Sequence, residues 1–476
     1  MAEDRMIYTG SLQYNGIEFT FVFDGAQLRL IPPAGEWESI RRKWFMKELG
    51  KGMYTFGPLP KMEVPFLIGT CNESSKRLVF IPWRGATIAY QNSVLIVSVA
   101  SYIECQTGDY PISKMSFTCP ELDCIYPVTK GYSCSFDAQA VQTTGVFTVQ
   151  TEDYSDTTTE KHPCTIDGVE VQISFGISRG FSMDVCKPPI TLRSSMIVEF
   201  ALTKDYAFLM RVWYVVKEFI QFMCYRRNVF FPSAELSTPA GNELTRQVGT
   251  LYILDETGDN EPEILKKGRY IKVSHILGHE HLILNDIAAH TLYTRHLPDS
   301  YASGNRINAA RFVMATAAFE WEFSRTYPDG VTKSESTLNA EQTAAAQLQK
   351  LIDESSGRKL KSIYKFLKKL TSSSSLQAKI IQVGRDFDEI IGVFGKRLYS
   401  LNNTELLYSD VGQRLADQRN HYAHGDLDID FIDLALLDVV YLERILYAMQ
   451  LKYYGVEAKS IQHAVNDLFG CGVYIK

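Results

Sequence analysis

The stretch TKDYAFLMRVWYVVKEFIQFMCYRR, residues 203–227, marks a change in the pattern of the sequence. Its apolar residues occur around most of a helical circumference, which predicts a well-buried helix with Thr203 as candidate N-cap. Upstream of this stretch the apolar residues mostly alternate as in strands, and from about residue 301 they follow the period of helices. The sequence therefore predicts a β-rich front and a helical back.

The front of the chain, from about residue 6 to residue 200, consists of short runs rich in Val, Ile, Thr, Phe and Tyr. Runs such as IEFTFVFDGAQLRLIPP (17–33) and VEVQISFGI (169–177) are bounded by Gly, Asn, Asp or Pro, as strands and turns are. The polar stretch QTEDYSDTTTEKHP (150–163) is expected to be an exposed hairpin loop. Recurring short strands predict an antiparallel sandwich or a barrel-like sheet.

The fold class expected is α+β multidomain: an N-terminal antiparallel β-rich domain (1–200), a mixed connecting region (201–299) and a C-terminal α-helical domain (300–476). The helical spacing of apolar residues in the last region predicts a bundle of five or six helices. One of them covers 404–424 and stops at Gly425, and Asp430 is the expected N-cap of the last long helix.

Composition limits the class of protein. The chain has 476 residues, and its net charge of −6 argues against non-specific coating of nucleic acid. No stretch approaches the length of an apolar transmembrane helix, and MAEDRMIYTG at the N-terminus does not resemble a signal peptide. Nine cysteines in such a chain suit reduced thiols. We therefore expect a cytoplasmic protein without a membrane partner.

The most unusual polar stretch is DQRNHYAHGD, residues 417–426. On a helix, Asn420 and His424 share a face, Arg419 lies one step round, and His421 is three residues before His424. His424 would sit at the negative end of the helix dipole, which favours its protonated form.

One helix end would thus present a cation, an amide and an imidazole. RNA cleavage through the 2′-hydroxyl needs a base, an acid and a cation for the phosphorane, and no metal. The plainer alternative is that Arg419 pairs with Asp417 or Asp426 and the histidines cap the helix. Spacing alone leaves both interpretations open.

The motif Arg419-Asn420-x3-His424-Gly425, on the penultimate long helix of an α-bundle, resembles the signature of HEPN-domain ribonucleases. Upstream, RINAARFVMATAAFEWEFSRTYP (306–328) is similar to the first HEPN helix of the ApeA-like group of bacterial anti-phage proteins, with Glu320 at that group's acidic position. The β-rich front precedes the helical domain in the same order as in that group.

This resemblance implies a homodimer in which two Arg-x4-His motifs meet in one cleft. It implies an endoribonuclease without cofactor that cuts RNA, with transfer RNA as the expected target, in abortive infection after a phage-derived trigger. It assigns Arg419, Asn420 and His424 to catalysis, with His421 and Glu320 as further candidates. The alternative is a non-catalytic HEPN scaffold whose β-rich domain binds a partner protein.

A basic tract without any acid runs from Ser355 to Arg385. Four of its lysines lie opposite an apolar stripe and are candidates for RNA binding. They are Lys361, Lys365, Lys368 and Lys369, and the stripe is Leu360, Ile363, Leu367 and Leu370. The alternative is an ordinary solubilising face.

Two further groups could bind a metal ion, although we expect neither to do so. Five histidines fall close together, and His275 and His279 have helical ligand spacing. The others are His281, His290 and His296. The cysteines Cys105, Cys119, Cys124, Cys134 and Cys164 lack the tight spacing of zinc ligands, so scattered thiols are the simpler interpretation.

Overall fold

The computed structural model describes residues 7–50, 52–74, 76–106, 108–135, 142–145, 148–229, 231, 233–241, 244–254, 268–371, 374–423 and 431–475. The chain forms two compact units. The first comprises Met1–Gln221, Asn228–Leu265 and His281–Ala289, and the second comprises Phe222–Arg227, Lys266–Glu280 and His290–Lys476. The chain passes between the units several times, so the region expected to be a connector contributes to both.

The first unit contains the strands. They are β1 (Tyr8–Tyr14), β2 (Ile17–Phe23), β3 (Gln27–Ile31), β4 (Met46–Gly50), β5 (Met53–Phe56), β6 (Leu67–Cys71), β7 (Arg77–Pro82), β8 (Ala89–Gln91), β9 (Val94–Cys105), β10 (Ile112–Phe117), β11 (Tyr132–Ser135), β12 (Thr148–Thr151), β13 (His162–Ile166), β14 (Val169–Phe181), β15 (Ile190–Thr203), β16 (Ser233–Gly241) and β17 (Leu244–Ile253).

Six antiparallel strands close into a ring, in the order β9, β3, β2, β1, β6, β7 and back to β9. β9 is long enough to pair also with β17, from which the sheet continues through β16, β10, β15, β14 and β13. Alternate residues of β2 point into the core, where Phe19, Phe21 and Phe23 are buried. The β-rich, barrel-like front expected from the sequence is confirmed.

Helices α1 (Trp37–Phe45), α2 (Pro120–Ile125), α3 (Tyr206–Cys224) and α5 (Glu280–Ala288) lie wholly or mainly in the first unit. Thr203 was the wrong N-cap for α3, because it is the last residue of β15. The Asp205 Oδ1 accepts hydrogen bonds from the amides of Ala207 (3.0 Å) and Phe208 (3.2 Å), so Asp205 caps the helix.

The second unit is helical. It contains α4 (Val273–Ile276), α6 (Tyr301–Gly304), α7 (Ala309–Thr326), α8 (Glu335–Glu354), α9 (Arg358–Thr371), α10 (Leu376–Ser400), α11 (Tyr408–Ala423), α12 (Ala435–Tyr453) and α13 (Ala458–Phe469). The α+β class is therefore confirmed. None of the helices in the described ranges combines the length and apolar composition needed to cross a bilayer.

Four sequence predictions about this unit were wrong. In the described part of 300–476, seven helices are longer than ten residues rather than five or six. The extra one, α13, makes α11 the third long helix from the end rather than the penultimate one. The N-cap of α12 is Leu434, so Asp430 is not the cap of that helix. The helix of the Arg419 motif begins at Tyr408 rather than at residue 404.

Two features hold α11 against its neighbours. Gly412 lets α10 approach closely, since a Cβ at that position would lie 2.9 Å from the Cα of Gln377. The buried Asp438 of α12 accepts two hydrogen bonds from Arg414 of α11 (2.7 and 2.8 Å) and one from the hydroxyl of Tyr399 of α10. The first two turns of α11 are therefore fixed by packing and by a buried charged network.

Candidate active site

Arg419 lies in the last turns of α11 and forms an ion pair with Glu320 of α7. The Arg419 Nη2 is 2.7 Å from the Glu320 Oε2, and the Lys379 Nζ of α10 is 3.0 Å from the Glu320 Oε1. One carboxylate thus bridges two cations from two other helices. We call Glu320, Lys379 and Arg419 the Glu320 cluster.

The apolar pattern of each helix places these side chains at the edge of the core. On α7, the buried Phe319 and Phe323 flank the half-buried Glu320. On α11, the buried Leu415 and Tyr422 are one turn to either side of the region that carries Arg419. Core packing therefore fixes the backbone positions while the charged ends reach the surface of the unit.

The electrostatics of the Glu320 cluster define what it can do. Burial raises the pKa of Glu320, but hydrogen bonds from Lys379 and Arg419 and their charges lower it more, and the net pKa is below its usual value. Glu320 is therefore ionised at neutral pH and can orient Arg419 but not act as a general acid. Two cations and one carboxylate leave a net positive charge, which attracts phosphate.

Arg419 forms its ion pair with another helix and not with a carboxylate of its own helix in the described residues. Asp417 accepts a hydrogen bond from Gln413 (2.8 Å), so the predicted alternative pairing of Arg419 with Asp417 is replaced by the pairing with Glu320. The Arg419 side chain remains 39% exposed, enough to reach a bound anion. Asn420 beside it is exposed and His421 is half-buried.

His424 and Gly425, together with Asp426, lie outside the described residues. The described residue before 424–430 is the last of α11, and the described residues after it contact α11. The Gln418 Oε1 accepts a hydrogen bond from the amide of Ile432 (2.9 Å), and the rings of Tyr422 and Phe431 are 6.1 Å apart. Both ends of the segment that carries His424 are thus anchored on the helix of Arg419.

The lysines proposed for RNA binding lie on α9. Lys365 and Lys369 are exposed, whereas Lys361 and Lys368 are half-buried. The Lys368 Nζ donates to the Gln349 Oε1 of α8 (2.7 Å). The four lysines thus differ in exposure, and the exposed Lys365 and Lys369 are the more accessible to phosphate.

The apolar stripe opposite these lysines is also accessible. Leu360, Ile363 and Leu367 are between 40% and 52% exposed, and Phe366 beside them is 61% exposed. The side chain of Leu370 lies outside the described part. α9 is thus amphipathic with both of its faces accessible in the single chain.

The five histidines have separate surroundings. α4 ends at Ile276, so His275 and His279 do not share a helix as the spacing suggested. The His275 Nε2 is 3.2 Å from the Asp467 Oδ2, and His281 stacks on His162. Among the described residues, no three His, Cys, Asp or Glu side chains are grouped as metal ligands.

The cysteines are scattered and act as thiols. Cys119 and Cys164 are buried, Cys105 and Cys124 are half-buried, and Cys134 is exposed. Burial raises the pKa of Cys105 to about 11 and that of Cys164 to about 12, so both are protonated at neutral pH. Protonated thiols are poor metal ligands.

Comparison of the chain with protein-family models, with curated proteins and with solved structures gives no match. The assignment to the HEPN ribonucleases stays a prediction from the motif. Arg419 and Glu320 were candidate site residues from the sequence, whereas Lys379 was only part of the basic tract. The acid-free character of that tract was the available signal, because an unpaired lysine on a core helix needs a carboxylate from elsewhere.

Proposed function

We propose that the chain is a metal-independent endoribonuclease of the HEPN type that acts in bacterial anti-phage defence. The observation that carries the proposal is the Glu320 cluster. It joins the acidic position of the first helix of the second unit's bundle to the arginine of the motif, across 99 residues of sequence. The resemblance named Glu320 and Arg419 on two different helices, and their ion pair supports the proposal that they act in one site.

In the proposed reaction, a base removes the proton of the ribose 2′-hydroxyl. The 2′-oxygen then bonds to phosphorus, and the bond from phosphorus to the 5′-oxygen breaks as an acid protonates that oxygen. His424 serves in acid–base transfer, with His421 as a further candidate, and Arg419 stabilises the charged phosphorane. Asn420 binds the phosphate, and Glu320 orients Arg419. The products carry a 2′,3′-cyclic phosphate and a 5′-hydroxyl.

Purified protein incubated with total bacterial RNA tests this function, with the cut ends mapped in the presence and absence of EDTA. We expect cleavage, with transfer RNA as the main target, to persist in EDTA. His424→Ala and Arg419→Ala should each reduce the rate by about a hundredfold or more.

Arg385→Ala is the matched control, because Arg385 is an exposed arginine outside the Glu320 cluster. It should cleave at the wild-type rate. Wild-type cleavage by the Arg419 or His424 variant, or products with a 3′-hydroxyl, would contradict the proposed mechanism.

A second candidate function is partner binding without catalysis. The tip of the β14–β15 hairpin exposes apolar side chains: Phe181 is 74% and Val185 is 99% exposed, and Met183 is fully exposed. Exposed apolar groups at a hairpin tip are typical of protein contacts. If this is the function, Phe181→Ser with Val185→Ser will abolish phage protection while Arg419→Ala preserves it. The ribonuclease proposal requires that Arg419→Ala abolishes protection.

A further inference from the structure

The second unit contains a cavity of about 250 Å³, lined by residues of α6, α7, α12 and α13 and of the segments after α3 and before α4. Five of its lining residues matter here: Tyr225, Arg269, Asn305, Arg444 and Phe469. We call it the Arg269–Arg444 cavity. None of these residues belongs to the Glu320 cluster, so ligand binding in this cavity would not depend on ribonuclease activity.

The charge of the cavity is positive. Its carboxylate, Glu443, is already neutralised, because Arg311 makes two hydrogen bonds to it of 2.9 Å each. Arg269 and Arg444 have no carboxylate within ion-pair distance in the described ranges. Two guanidinium groups that have no ion pair within the described part of the chain therefore line one cavity and give it a net positive charge.

Both arginines line this one cavity. Arg269 packs on Gly470, which ends α13 with φ of +56°, and a Cβ at Gly470 would be 2.0 Å from the Arg269 Nη1. The glycine therefore keeps space for the Arg269 guanidinium beside the cavity.

The Arg444 Nε in this wall is shielded from solvent and makes no hydrogen bond within the described residues. Leaving a buried donor unsatisfied is unfavourable, so such groups normally contact water, an ion or a ligand. An anion in the cavity would satisfy it.

The opposite part of the wall is aromatic. The rings of Tyr225 and Phe469 are 5.0 Å apart and both line the cavity. Asn305 adds an amide that can donate to or accept from a heterocycle. Arginines that bind phosphate, next to aromatic rings and an amide, suit a phosphorylated molecule with a flat ring.

A neighbouring cavity of about 280 Å³ shares Arg311 and Pro298 in its wall and adds Arg295 and Arg306. These two arginines also have no carboxylate partner among the described residues. The positive potential thus extends beyond the Arg269–Arg444 cavity, which increases the attraction for a multiply charged anion.

We propose that the Arg269–Arg444 cavity binds a small nucleotide, with the phosphate on Arg269 and Arg444 and the base against Tyr225 and Phe469. The arginine forks provide directional hydrogen bonds to phosphate oxygens, and the aromatic rings provide a flat apolar contact. A bound nucleotide stabilises the folded second unit by RT ln(1 + L/Kd), where L is the free nucleotide concentration, so the stability should keep rising with nucleotide concentration.

Calorimetric titration of the full chain with AMP, ADP, adenosine and inorganic phosphate tests this proposal. We expect AMP and ADP to bind saturably, and adenosine and inorganic phosphate each to bind at least about tenfold more weakly, because each lacks one half of the ligand.

Arg269→Gln and Arg444→Gln should each weaken AMP binding about tenfold or more, and Arg444→Lys should give an intermediate loss because the charge stays while the fork is lost. Arg385→Gln is the matched control and should bind as the wild type does. Circular dichroism confirms that each variant is folded, and Arg444→Lys keeps the test informative if Arg444→Gln does not fold.

No saturable binding of AMP or ADP at millimolar concentration would overturn the proposal. So would adenosine or inorganic phosphate binding as tightly as AMP, or AMP affinity unchanged in both arginine variants. If ribonuclease activity fails while AMP binds as described, only the proposed function is refuted, and the converse result refutes only the nucleotide site.

Discussion

At the scale of single residues, Glu320 decides the state of the candidate active site. Its carboxylate contacts Lys379 and Arg419, and its pKa is held below the usual value of 4.5 by these partners in spite of burial. An ionised Glu320 binds one edge of the Arg419 guanidinium. The other N–H groups of the guanidinium remain able to bind a substrate phosphate. Losing that charge would release Arg419 and leave it near a second cation.

Glu320→Gln should therefore lower activity by about tenfold and stability by about 1 kcal/mol at neutral pH. Because the folded-state pKa of Glu320 is depressed, its stabilising effect is present above about pH 4.5 and is lost as the pH falls towards the folded-state pKa. Urea unfolding of both proteins between pH 7 and pH 3 measures this. Their stability difference should shrink as the pH falls below 4.5.

Glu341→Gln is the matched control for this substitution. Glu341 is also a half-buried partner of a lysine, with the Lys333 Nζ 2.7 Å from its Oε1, but it does not contact Arg419. It should leave the cleavage rate unchanged. Equal losses of activity in the two variants would mean that Glu320 affects only folding.

The burial of His296 should also make the protein less stable as the pH falls, but in a different pH range. Burial lowers its pKa to about 3, so the folded protein keeps it neutral, whereas the unfolded chain protonates it below about pH 6.5. Stability should fall by up to about 1.4 kcal/mol per pH unit between pH 6 and pH 4 from this group alone. His296→Phe should show a shallower fall in urea unfolding.

His463→Phe tests whether any histidine replacement has that effect. His463 is half-buried and stacks on His275. The slope for this variant should stay close to that of the wild type. A His296→Phe protein with the wild-type slope would contradict the assignment of His296 as a buried neutral group.

At the scale of elements, α9 shows why a charge pattern alone does not identify contacts. Its lysines form one face, yet Lys368 is bound to Gln349 and Lys361 is half-buried. RNA that follows this helix would contact Lys365 and Lys369 first. The salt dependence of binding counts such contacts, because each phosphate contact releases counterions.

Lys365→Ser with Lys369→Ser should reduce the slope of log binding constant against log salt by about 1.5 to 2. Lys361→Ser with Lys368→Ser should change it by less. Filter binding with the Arg419→Ala protein, which should not cut the RNA, measures both slopes. Lys350→Ser on α8 is the control, since Lys350 is exposed and outside the basic face.

Equal slopes for wild type and the Lys365/Lys369 variant would assign the basic face to solubility. Equal effects of the two pairs would contradict the distinction drawn from the Lys368 contact with Gln349 and the partial burial of Lys361.

The helices of the second unit also show what the sequence could predict. Where apolar residues repeat with helical spacing, as in 309–326, existence and position were correct. α13 was missed although Ile461, Ala464, Val465 and Leu468 carry the same signal. Caps were less predictable: Thr203 and Asp205 are both good cap residues, and only the end of β15 decides between them.

At the scale of the whole molecule, contacts between residues far apart in the sequence could not be predicted from the sequence. Glu320 and Arg419 were each candidates from the sequence, but their contact was not predicted, nor was that of Lys379 with Glu320. Both contacts depend on how α7, α10 and α11 pack. The accessible stripe of α9 likewise depends on which neighbours cover it. Periodicity shows that a face is apolar, and only the packed structure shows whether it is buried.

The proposed mechanism predicts that the chain assembles as a dimer. The described part of the motif provides Arg419, Asn420 and one half-buried imidazole, His421, while transfer through a 2′-hydroxyl needs both an acid and a base. A two-fold axis that brings two copies of the motif together would supply two copies of His424. Size-exclusion chromatography with light scattering should then show a dimer.

Mixing experiments separate a shared site from two independent ones. Equal amounts of wild type and Arg419→Ala protomers, unfolded and refolded together, give about a quarter wild-type dimers and half mixed dimers. If each cleft needs residues from both chains, the mixture keeps about a quarter of the wild-type activity. If each chain carries a complete site, it keeps about half. An activity near half, or a fully active monomer, would make His421 the leading candidate for the second proton-transfer group.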